Sequence, residues 1–217
     1  MRKYRKLKKF LKEQEGYSPD VYADTEGNPT VGFGANLNSP EVDQYLSEMG
    51  KDKERILSGE ESLDPTESDQ LKDMQLQDKQ QFLEAVKKRD FPQAQIEPNE
   101  QDALLSMAYN SPQLIGPNMR KLLNENRKED VSKEILLRSN RDKTPGIQKR
   151  RLEESRMYSG PNFENIVKTL KPEEIHEIRN IINNIKNVNE REKVLQEYPF
   201  LNEIVPYRPF NKVFKKY

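Results

Sequence analysis

The chain has 217 residues, with 37 basic and 37 acidic side chains, one His and no Cys. That length allows one domain of ordinary size plus an appendage, and the lack of Cys excludes a disulfide framework or a thiolate metal site. A transition-metal centre would have to be built almost wholly from carboxylates, which suit Ca or Mg better, so no tightly bound transition metal is expected.

A formal net charge of +0 argues against a nucleic-acid binder, which needs a surplus of Lys and Arg to neutralise phosphates. No run of about 18 apolar residues occurs, so no membrane span is expected. Hydrophobic residues make up 33% of the chain and charged ones 34%, a composition on the disorder-prone side of globular proteins, so local pattern decides.

Residues 1 to 12 carry Arg2, Lys3, Arg5, Lys6, Lys8, Lys9 and Lys12 with no acidic residue among them. No apolar core follows, so the segment does not read as a signal peptide. Tyr4, Leu7, Phe10 and Leu11 share helical spacing, which predicts an amphipathic helix whose last residue is Glu15, stopped by Gly16. Its basic face reads first as a solvated helix face and only second as an attraction for an anionic cell wall.

Val21 to Asp24 and Thr30 to Gly34 read as two short strands around a Gly/Asn/Pro turn. Ser39-Pro40-Glu41 is an N-cap with Pro at the first helical position, and Val42, Tyr45, Leu46 and Met49 then share a face until Gly50. Asp64-Pro65-Thr66-Glu67 has the form of a capping box and opens a long polar helix. Further helices are predicted over Glu100 to Asn110, over Asn118 to Leu123, around Val131 to Leu136, and over Ile147 to Tyr158.

After Gly160-Pro161 the character changes. Pro172 opens a helix whose Ile175, Ile178, Ile181, Ile182 and Ile185 form an almost pure Ile stripe. The stretch from Tyr198 to Tyr217 reads as extended. The chain thus divides into a body, residues 1–160, and an extension, residues 161–217, packed on the body through the Ile stripe or docking a partner with it.

Two carboxylates, Glu15 and Asp24, flank the passage from the first helix into the hairpin, and Thr30 opens the second strand. Antiparallel pairing would bring Asp24 and Thr30 to matched strand ends. A carboxylate at a helix C-terminus faces the negative end of the dipole, a seat that disfavours its charged form, whereas one in a turn accepts hydrogen bonds that favour it. Two carboxyls in contrasting environments suit glycoside hydrolysis, which needs an acid for the leaving oxygen and a carboxylate for the oxocarbenium ion or the attacking water. Spacing alone is weak evidence among 37 acidic side chains. Taken singly, Glu15 reads as an exposed helix-terminal acid, Asp24 as a turn cap and Thr30 as an ordinary strand residue.

The surrounding string is specific. Glu15-Gly16 followed by Tyr22-x-Asp24-x-x-Gly27-x-x-Thr30-Val31-Gly32-Phe33-Gly34 resembles the catalytic signature of phage-type lysozymes, glycoside hydrolase family 24. Gln101 to Asn110 resembles that family's central buried helix, and the likeness extends over about residues 4 to 159. Where the family often has a His, this chain has Ala35-Asn36; Ser111-Pro112 replaces the usual small turn, and residues 51–98 match weakly.

The resemblance implies an α+β, lysozyme-like fold: a small hairpin-containing lobe, a mostly helical lobe and a C-terminal helical extension. It implies a muramidase that cleaves the β-1,4 bond between N-acetylmuramic acid and N-acetylglucosamine in bacterial peptidoglycan. Glu15 would be the general acid, Asp24 the second carboxylate and Thr30 the hydroxyl orienting water. Phe33, Tyr109 and Asn110 would line the saccharide cleft, although Tyr109 and Asn110 read equally well as a polar helix end. Arg150 or Arg151 would lie near Glu15, with Glu153 or Glu154 filling the acidic position that follows. Such an enzyme would reside in the host cytoplasm until release to the cell wall, or travel in the virion.

A lytic transglycosylase would work with a single Glu, so Asp24 and Thr30 favour hydrolysis, and a water-orienting Thr30 favours inversion. The alternative from another class is a non-catalytic cell-wall-binding or virion structural protein that keeps the fold, with residues 161–217 docking a virion partner.

Overall fold

Helix starts in this chain are set largely by proline and acidic caps. The computed structural model describes residues 4–24, 27–139, 145–185, 187–197 and 199–204. Arg2 and Lys3, the turn residues Thr25 and Glu26, and the tail from 205 to 217 lie outside the described residues. Two compact units are present, residues 1–127 and 128–217.

The first unit opens with α1 (Arg5–Glu15), which ends at Glu15 as predicted. Strands β1 (Ser18–Ala23), β2 (Pro29–Gly32) and β3 (Ala35–Asn36) follow. They form an antiparallel sheet in the order β1-β2-β3. Tyr22 pairs with Thr30 and Ala23 with Pro29, while Thr30 pairs with Asn36 on the other side.

The predicted second strand is shorter than expected and a third exists. The reason is the turn Gly32-Phe33-Gly34, in which both glycines take positive φ, +64° and +82°, a conformation that reverses the chain and that side chains with a Cβ rarely adopt. Val31, Ala35 and Leu37 point into a small core with Val42, Tyr45 and Leu46 of α2 (Pro40–Glu48), Ile56 of α3 (Lys53–Leu57), Leu63 and Leu71.

Ser39 precedes α2 in extended geometry but makes no side-chain cap; its hydroxyl donates instead to the Glu41 carboxylate, and that hydrogen bond holds Glu41 below its ordinary pKa. The short α3 escaped the sequence reading. It is started by Asp52, whose carboxylate accepts the Glu54 and Arg55 amides at 2.8 and 3.2 Å.

The capping box at Asp64 is present in full. Its carboxylate accepts the Thr66 and Glu67 amides at 2.7 and 2.8 Å, and Glu67 accepts the Asp64 amide at 3.0 Å. Helix α4 (Pro65–Asp90) then runs 26 residues. It packs against α2, β2, α5 (Pro98–Asn110) and α6 (Pro117–Asn124). The buried residues of α5 are the predicted Ala103, Leu104, Met107 and Ala108, together with Glu100, Leu105 and Ser106.

The second unit contains α7 (Lys128–Lys133), which continues as a π-helical segment over Glu134–Arg138, and α8 (Pro145–Ser159). Next come α9 (Phe163–Lys168), α10 (Pro172–Asn183), α11 (Val188–Glu197) and α12 (Leu201–Ile204). Short α12 replaces the extended chain expected after Tyr198. One apolar cluster joins Leu136, Leu137 and Leu152 to Phe163, Ile178, Ile182, Ile185 and Leu201. The Ile stripe therefore closes on residues 136–152 of this unit, and its side chains are spent inside the chain's own core. The composition change at 160 falls within this unit.

Ile182 is fully buried at the centre of that cluster. Truncation of a buried Ile to Ala removes transfer energy and leaves a cavity, so Ile182→Ala is expected to cost about 2–5 kcal/mol, read from urea unfolding of the full chain.

Candidate active site

Glu15 sits at the C-terminal end of α1, where the sequence reading supplies only the negative end of the helix dipole. The structure puts a cation there. Lys72 of α4 donates from Nζ to Glu15 Oε2 at 2.5 Å, and its side chain is only 1% exposed, against 18% for Glu15. The same Nζ lies 4.7 Å from the ring centroid of Tyr109 on α5, within the range of a cation–π contact. The Tyr109 hydroxyl donates to Gln75 Oε1 at 3.2 Å, so Tyr109 is held by α4 at both face and tip.

Gly34 closes the other side of Glu15. A Cβ placed on it would stand 2.5 Å from Oε2 and 3.1 Å from the carboxyl carbon. The backbone of the β2–β3 turn thus lies directly on the carboxylate. A Cβ on Gly32 would meet the Ser68 hydroxyl at 2.6 Å, so the turn is seated on α4 as well. The alternate glycines serve this approach of turn to helix.

Asp24 follows β1. Its Oδ1 accepts the Asn28 backbone amide at 2.8 Å, and the Asn28 side-chain amide reaches Oδ2 at 3.2 Å. The Asp24 amide in turn donates to Asn28 O at 3.0 Å. Thr30 is 2% exposed, and its hydroxyl donates to the same Asn28 carbonyl at 3.1 Å. Asn28 therefore organises both Asp24 and Thr30.

Tyr22, paired with Thr30 in the sheet, has its phenol pKa raised, by burial first and then by the negative charges of Glu15 and Asp24. The sheet sets Tyr22 opposite Thr30, and the β1–β2 turn ties Asp24 to Thr30 through Asn28.

Phe33 lies beside the same end of α1. Its ring is 5.0 Å from that of Tyr17, and Lys12 Nζ is 4.3 Å from its centroid. Asn110 is the exposed last residue of α5. Of the predicted cleft residues, Tyr109 reaches Glu15 through Lys72, and Phe33 reaches it through the turn it shares with Gly34.

The basic face of α1 is not simply solvated. Lys8 reaches Asp69 and Asp73 of α4, each at 2.8 Å, and Lys12 also reaches Asp69. Burial alone would raise Asp69, but its hydrogen bonds from Lys12 and Lys8 hold it below the ordinary carboxylate range. The clamp fixes the helix that presents Glu15.

In the second unit, Arg150 Nε donates to Glu154 Oε1 at 3.1 Å and Arg151 also pairs with Glu154. Of the two acids after the Arg pair, the fully buried one is Glu154; Glu153 faces Lys149 at 3.8 Å. Among the described residues, no group of three or more His, Cys, Asp or Glu side chains could hold a metal ion, and no helix is long and apolar enough to cross a membrane.

A family model described as phage lysozyme matches residues 12–154. The chain belongs to this family. It is therefore a glycosidase acting on peptidoglycan, a lysozyme of the muramidase type with an α+β fold. No curated protein matches it. In this lysozyme two site residues escaped the sequence reading. Lys72 had a faint signal, since it stands at i+4 spacing between Ser68 and Leu76, both buried. Asn28 looked like turn punctuation only.

Gly34→Ala is expected to lower lytic activity at least about tenfold, because the new methyl forces the Glu15 carboxyl aside; turbidity assays on cell walls would measure it. Asp69→Asn tests the clamp. A depressed carboxylate stabilises the fold above its unfolded pKa of about 3.9, and that contribution fades as pH falls through the folded value. The variant should therefore melt below the parent near neutral pH and converge with it in acid, as pH falls through the lowered folded value, followed by circular dichroism.

Proposed function

We propose that this lysozyme cleaves the β-1,4 bond between N-acetylmuramic acid and N-acetylglucosamine, with Glu15 as general acid, Asp24 as second carboxylate and Thr30 orienting water. The observation that carries the reading is the seating of the Gly32-Phe33-Gly34 turn on the Glu15 carboxyl, directly after the strand in which Asn28 ties Asp24 to Thr30. Asp24 accepts two donors from Asn28, an arrangement that favours its charged form and suits it to support an oxocarbenium ion. The Thr30 hydroxyl commits its proton to Asn28 O, so toward a water it presents acceptor lone pairs.

With Thr30 holding the nucleophilic water, the outcome is inversion at the anomeric carbon. Proton transfer and charge stabilisation come from side chains, without a metal or organic cofactor. Phe33, Tyr109 and Asn110 line the saccharide cleft. The enzyme resides in the host cytoplasm before release, or in the virion, where residues 161–217 would engage a partner through side chains other than the buried Ile stripe.

The decisive experiment digests purified peptidoglycan with the parent and with Glu15→Gln, followed by mass spectrometry of the released muropeptides. Reducing muramic ends from the parent and a loss of at least about a thousandfold in the variant are expected for removal of a general acid. Anhydro-muramic ends would show a transglycosylase, and release by Glu15→Gln equal to the parent would overturn the assignment of Glu15.

A further inference from the structure

Lys72 is a charged side chain enclosed within the first unit, 1% exposed, and its ammonium donates to one oxygen of the Glu15 carboxyl. We infer that Lys72 is a positioning residue of this lysozyme, anchoring Glu15 Oε2 between its ammonium and the Gly34 backbone. The inference rests on the reading of Glu15 as the general acid.

Three observations support it. First, the contact is short and shielded from water on the Lys72 side. At low local dielectric such a pair is much stronger than on the surface, and stranding one partner is costly. Second, Lys72 is itself fixed, with the Tyr109 ring 4.7 Å away and α4 held to α1 by Lys8, Lys12, Asp69 and Asp73. Third, Gly34 leaves Oε2 no room to swing toward the turn, since even a Cβ there would stand 2.5 Å away.

A carboxyl pinned through Oε2 keeps one orientation toward the saccharide, which is the positional accuracy that proton transfer needs. The Tyr109 ring on the other side of the ammonium keeps Lys72 itself in place.

The test compares Lys72→Gln, Lys72→Arg and Glu15→Gln as full-length proteins over a range of pH. In Lys72→Gln, kcat on the acid plateau is expected to fall about tenfold while KM stays within about twofold, since orientation rather than binding is lost. Lys72→Arg, which keeps a cation within reach of Glu15, should restore kcat.

Parental kcat in Lys72→Gln would overturn the inference, as would equal losses in Lys72→Gln and Lys72→Arg, or a KM that rises as far as kcat falls. Side-chain 15N NMR supplies a readout that needs no Lys72 variant to fold. The Lys72 ammonium signal of the parent should be moved or lost in Glu15→Gln, and a signal unchanged by Glu15→Gln would overturn the inference. Glu15→Gln separates the two readings: if it is as active as the parent, the reading of Glu15 fails, and if it is inactive while Lys72→Gln behaves as the parent, only the role of Lys72 fails.

Discussion

A buried ammonium on the Glu15 carboxylate constrains much of the first unit. Lys72 comes from α4, Glu15 from the end of α1, and Gly34 from the β2–β3 turn, so three elements distant in sequence must meet at one carboxyl oxygen. Taking Lys72 out of water is expensive unless a partner and good geometry repay it. The Glu15 carboxylate and the Tyr109 ring repay it here, and the requirement ties the register of α4 to the end of α1.

The surrounding structure maintains that meeting point. Lys8 and Lys12, on the turns of α1 before Glu15, clasp Asp69 and Asp73, which flank Lys72 on α4. The capping box at Asp64 fixes where α4 starts, and hence which of its residues face the turn. At the turn, two left-handed glycines let the backbone lie on Glu15 and Ser68. Asn28 serves the other carboxylate, holding Asp24 and Thr30 through one side chain and its own backbone. The site is thus built by small polar devices at element ends.

The second unit follows a different economy. Its stability comes from an apolar cluster in which the Ile residues of α10 close on Leu136, Leu137 and Leu152, with the buried Glu154 held by Arg150 and Arg151. The family match runs to residue 154, and the helices beyond α8 pack on residues 136–152 through the Ile stripe. Of the two uses the stripe has in sequence, packing within the chain and docking a partner, the structure shows the first.

The sequence by itself determined the helix ends, because caps, prolines and glycines act within a few residues; α1 stops at Glu15, and α4 opens at Pro65 behind Asp64. It also carried the candidate site, since Glu15, Asp24 and Thr30 stand in a string specific enough to identify the family. Short α3 and the third strand were hidden, being made by one cap and by a turn whose positive φ values no apolar pattern announces. Tertiary structure alone decided that Lys8 and Lys12 of α1 would find partners more than fifty residues away and that Lys72 would be the cation on Glu15. Those are long-range electrostatic choices. A charged residue looks the same in sequence whether it is solvated or buried against its counter-ion, and only the packing of α1, α4 and the turn tells the two apart.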